Sequence, residues 1–143
     1  MNKKYELTDE TQQWNGRTLY RIRALADFED VKAGDLGGWI EKEENLSYDD
    51  NAWVCGNARV CGNAEICKTE DYFTAGPIGS RNDTITFFHC KDGKIRAATG
   101  CFRGDLEQLE AAVRSKHKDN HYAQAYLCVI AAAKAQIGAG KNV

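Results

Sequence analysis

The stretch GPIGSRNDT, residues 76 to 84, gathers the side chains best suited to hold an anion. Ser80, Arg81, Asn82, Asp83 and Thr84 form a dense polar run behind Gly79. Arginine offers a planar fork of donors, and Gly-Ser amides can close into a concave nest around phosphate or another polar anion. The P-loop pattern G-x-x-x-x-G-K-[ST] is absent. Two readings of the run stay open at this stage, a ligand loop and a plain polar turn between elements.

Other residues invite reactive chemistry and support it less. Cys55, Cys61 and Cys67 recur at six-residue intervals, a spacing unlike the short C-x2–4-C pairs of structural zinc sites. Each follows an aliphatic residue (Val54, Val60, Ile66), and neighbours on a strand face opposite ways, so cysteines beside inward-facing aliphatics cannot converge. No metal site is expected. Cys101 and His117 could serve as nucleophile and base, but no third orienting group is evident, and no catalytic residue is assigned.

These residues need elements to place them. The chain of 143 residues, 43% hydrophobic and 28% charged, has ordinary globular composition. Its net charge of −2, with interspersed signs, gives no long-range attraction to nucleic acid or an anionic membrane. The longest apolar run, 126–133, falls short of the roughly 20 residues of a membrane span, and MNKKYELTDE lacks a signal core. A cytoplasmic protein with reduced cysteines and no cofactor is the expectation.

Three regions follow. Residues 1–35 open with a hairpin turning at Asn15-Gly16. Its second strand carries Arg17, Arg21 and Arg23 on one face, a basic stripe able to bind phosphate, or a solvated face if neutralised by Glu6, Asp9 and Glu10 close by in sequence. Residues 36–70 carry the repeat NAWVCGNARVCGNAEIC, whose period of six suits a chain that turns a corner every six residues. Residues 71–143 read as a hairpin at Asp92-Gly93 with Lys91 opposite Lys94, then two helices. Asp105 caps the first, whose apolar stripe is Leu106, Leu109, Ala112 and Val113, and Asn120 caps the second.

DLGGWIEKEENLS followed by NAWVCGNARVCGNAEI resembles the left-handed β-helix (hexapeptide-repeat) proteins of bacteriophages and prophages, in which copies of GNARVYGNA run on much longer. The resemblance implies an α+β protein: an N-terminal β-hairpin, a short left-handed β-helix coil, and a C-terminal β-hairpin with two helices. In those proteins a GSRN segment, a G-C-F-x-G segment and an H-x-x-N…Y segment recur together. They fall here on Gly79, Ser80, Arg81 and Asn82, on Gly100 to Gly104 with Arg103, and on His117, Asn120 and Tyr126. With Thr84 from the polar run, these are the expected ligand-binding residues. The expected function is non-enzymatic capture of a small anionic or nucleotide-like ligand, or docking on a host defence protein, in a chain that forms a homo-oligomer. A structural module stacking through its coil and a degenerate acyltransferase of hexapeptide type are the alternatives.

Overall fold

The computed structural model describes residues 3–49, 51–100 and 102–138. Among them are two four-stranded sheets and two helices. The first sheet runs β1 (Tyr5–Trp14), β2 (Arg17–Ala24), β3 (Leu36–Ile40), β4 (Arg59–Val60), in that order. The second runs β5 (Tyr72–Ile78), β6 (Asp83–His89), β7 (Ile95–Thr99), β8 (Phe102–Asp105), and α1 (Leu106–His117) and α2 (His121–Gly138) follow.

The α+β class holds, but the left-handed β-helix coil does not. No such coil is present among the described residues. The repeat contributes a two-residue strand, paired in parallel with β3 as Trp39 with Arg59 and Ile40 with Val60, and a single parallel bridge of Leu46 to Ile66. Each pair is twenty residues apart, because the sixfold spacing lengthens between Leu46 and Val54. Stacking through a coil therefore loses its basis as an assembly mechanism.

What the period of six does encode is burial. Ile40, Val54, Val60 and Ile66 are fully enclosed, and Leu46 nearly so. The turns are stitched by buried acceptors. Asn45 Oδ1 takes the amides of Glu41 and Lys42, while its amide group donates to the carbonyls of Gly62 and Ala64. Asp71 does the first of these jobs one turn later, accepting from Cys67 and Lys68.

The first hairpin turns as expected, with Asn15 (φ 49°) and Gly16 (φ 79°) between paired Trp14 and Arg17. The turn between β6 and β7 differs. Cys90 N–H donates to Lys94 C=O, so three residues, Lys91, Asp92 and Gly93 (φ 84°), make the loop. The register moves by one residue: His89 opposes Ile95 and Phe87 opposes Ala97. Because side chains alternate, that step flips the β7 faces relative to β6.

The second sheet is consequently sandwiched. Phe88, Cys90 and Ala98 pack toward the first sheet with Tyr72, Cys61 and Val60, whereas Ile85, Phe87 and Ala97 pack against Leu109, Val113, Ile130, Ala133 and Ile137 of the helices. The layers are sheet, sheet, helices. Trp14 Nε1–H to Gly100 C=O at 2.6 Å, Gln136 Nε2–H to Tyr72 C=O at 2.8 Å and the Ala64–Cys90 bridge tie them together. Both helices begin as their sequences specify: Asp105 Oδ1 accepts from Gln108 N–H at 2.9 Å, and Asn120 Oδ1 from Ala123 N–H at 3.1 Å. No helix is long and apolar enough to cross a membrane among the described residues.

Candidate functional site

The polar run of residues 79–82 is the connection between β5 and β6, closed by Asn82 N–H on Gly79 C=O. Gly79 (φ 80°) and Asn82 (φ 52°) supply the left-handed backbone that this turn needs. At Gly79 the absence of a side chain has a second use. A Cβ there would collide with the Tyr126 hydroxyl of α2, so the turn and the helix close on each other.

Beside that contact lies a hollow of about 180 Å³. Ser80 and Arg81 form one side of its mouth, Lys116 and His117 of α1 another, and Tyr126 of α2 a third. Thr99, Gly100 and Phe102 line it from the end of the second sheet. Leu109, Ala112 and Val113 form the wall on α1, where spacings of three and four residues put them on one side with Lys116. The interior is thus apolar and the mouth basic.

The one carboxylate among the lining residues is already engaged. Asp83 Oδ1 accepts from Thr84 N–H and Oδ2 from Gly100 N–H, both at 2.8 Å, tying the turn to the end of β7. Arg81 and Lys116 make no ion pair among the described residues. His117 is held at the mouth by rings, lying nearly parallel to Tyr126 (6.0 Å, 16°) and tilted against Tyr122 (5.3 Å). Burial, with the nearby Asp83 charge, pushes the Tyr126 hydroxyl above its ordinary pKa, so it stays a neutral donor.

Of the expected site residues, Ser80, Arg81, His117 and Tyr126 come together around this hollow, with Gly79 behind them. Asn82 and Thr84 serve the turn and the strand, and neither lines it. Asn120 caps α2. Arg103 lies elsewhere: it follows Phe102 on β8, and its guanidinium packs against Gly62 beside the buried Cys61. That packing explains why Cys61 is enclosed although its neighbour Val60 is too. Lys116 and the wall residues carry a signal in the sequence, the helical stripe of α1, which reads equally well as core. Cys101, the other half of the thiol pair considered with His117, lies outside the described residues.

Metal binding gains nothing from the geometry. Cys55 is exposed, Cys61 buried and Cys67 intermediate. His117 and His121 have the H-x3-H spacing of zinc ligands, yet among the described residues no three His, Cys, Asp or Glu side chains gather as a metal site. A second, shallower hollow of about 270 Å³ lies beside Lys94 and Asp105, whose opposite charges face each other at 4.0 Å.

No protein-family model matches the chain. It is similar to the protein named "Uncharacterized acetyltransferase YdcK" of Escherichia coli (strain K12), with 35% identity over 60 residues, 36% of this chain and 18% of that protein. The chain thus matches less than a fifth of that relative's length.

Proposed function

We propose that this protein is a non-enzymatic binder of a small anionic ligand, held in the hollow between the 79–82 turn and the two helices. One observation carries the reading: Arg81 and Lys116 stand unpaired at the mouth of a cavity whose single carboxylate is occupied by two backbone amides. The arginines of the first sheet, by contrast, have carboxylate neighbours. The resemblance of the repeat and of the GSRN segment to phage proteins supports a setting in counter-defence, where capturing a signal molecule needs affinity and no reactive group.

Thermal melting with a panel of phosphates, nucleotides and cyclic nucleotides tests the reading. A ligand at 100 times its Kd adds about 2.7 kcal/mol of stability. The shift is expected in the wild type and absent in Arg81→Ala, whose unliganded melting point stays unchanged. A shift that survives Arg81→Ala and Lys116→Ala contradicts the assignment of the site.

The match to YdcK favours acetyl transfer as a second reading. Its support in this chain is His117 at the mouth of the hollow, a residue type able to take a proton from an acceptor. Release of free thiol from acetyl-coenzyme A, dependent on His117, is its test, and binding without turnover counts against it.

A further inference from the structure

Resting on the reading that the hollow binds an anion, we infer that the ligand is amphiphilic: a single planar ring seated against Leu109, Val113 and Phe102, bearing one phosphate or carboxylate that meets Arg81 and Lys116 at the mouth.

The division of the lining by chemistry leads to this. The charged donors sit at the mouth, where Arg81 and Lys116 are exposed, while the wall is aliphatic and aromatic. A bare phosphate drawn into that interior would exchange its hydration for methyl and phenyl groups, which is costly away from the cations at the mouth. It would stay at the rim and leave the apolar side of the hollow unfilled. A ring inside and a charge outside satisfies both parts. Tyr126 and Thr99 add hydroxyl groups beside the ring, suited to a polar ring substituent.

Size sets the limit. An apolar cavity of about 150 Å³ takes one benzene ring. The hollow here, about 180 Å³, has room for one six-membered ring and little else. A purine nucleotide cannot be enclosed, and any larger ligand enters by one ring and leaves the rest in solvent.

Calorimetric titration of the full chain with phenyl phosphate and with inorganic phosphate tests this directly. Phenyl phosphate is expected to bind at least about tenfold more tightly, from burial of its ring. Ala112→Phe, a change at an exposed helix position on the wall of the hollow, should abolish that advantage. In the wild type, proton NMR should show contacts between the phenyl ring and the methyl groups of Leu109 and Val113, a readout that stands even where the variant does not fold. Equal affinity for the two probes, without such contacts, overturns the inference about the ring and leaves the anion site standing. Failure of both probes to bind overturns the inference together with the reading beneath it.

Discussion

The arginines of the first sheet and the cations around the hollow differ in what surrounds them. Arg17 pairs with Glu41 at 2.7 Å, Arg21 with Glu10 at 3.3 Å, and Arg23 with Glu6, while Arg21 also lies over the Trp39 ring. Arg81 and Lys116 face a cavity instead. The polar groups that hold backbone differ in burial: Asn45 and Asp71 are buried, whereas Asp83, which also takes two backbone amides, is half-buried beside the hollow. Charge on a strand is therefore no guide to binding unless its partners are also counted. The first half uses its polar groups to hold shape, and the second sets Arg81 and Lys116 beside a hollow with no ion pair among the described residues.

The largest expected effect asks whether the two halves are separable. Phe87 is fully enclosed between the second sheet and the helices, and Phe87→Ala should cost about 3–5 kcal/mol in chemical denaturation. The three tryptophans, Trp14, Trp39 and Trp53, all lie in the first half, while both helices lie in the second. Coincident loss of tryptophan fluorescence signal and helical circular dichroism in this variant is expected, because the Trp14–Gly100 and Gln136–Tyr72 bonds and a shared core join the layers. Two separate transitions would break that view.

Asn45→Ala comes next. It removes one side chain that satisfies two amides and two carbonyls, and buried groups left without partners cost about 1–3 kcal/mol each, so a loss of at least about 2 kcal/mol is expected. A variant as stable as wild type would show that the polar stitching of the first half is ornamental.

A smaller effect is expected with alkali. Burial raises the Tyr5 hydroxyl well above its ordinary pKa, and burial together with Glu43 pushes Tyr48 up to about 12. The folded state thus keeps protons that the unfolded chain releases above about pH 10. Stability is fully present below that pH and falls as pH rises through the folded-state values. Phenolate absorbance of these two tyrosines should appear together with loss of circular dichroism, and should precede it if the first half is looser than described. The smallest effect belongs to the site itself: Arg81→Ala, in an exposed turn, should change stability by no more than about 0.5 kcal/mol.

Local chemistry made part of this architecture legible from residues alone. Asn15-Gly16 admits few alternatives to a tight hairpin, and Asp105 with Gln108, like Asn120, marks a helix start. The sixfold spacing correctly marked Val54, Val60 and Ile66 as inward-facing, but the step lengthens to eight residues between Leu46 and Val54, and the pairing that results joins a sheet and not a coil. In the second half, Asp92-Gly93 signalled a turn without fixing its length, and one extra loop residue reversed the faces of β7. Strand β5 was hidden because Gly76 and Pro77 read as loop. At the candidate site, the composition of residues 79–82 drew attention to a turn that borders a hollow. Lys116, Asp83 and the helical wall were not separable from ordinary helix and turn residues, since what distinguishes them is the gap between elements far apart in sequence.

The most direct test of the account is a backbone-amide NMR titration of the intact protein with phenyl phosphate, comparing the two basic regions in one experiment. Saturable shifts confined to residues 80–83, 99–100 and 112–117, with Arg17, Arg21 and Arg23 unmoved, are the result expected. Shifts centred on the β2 arginines, or spread over exposed lysines without saturation, would contradict it.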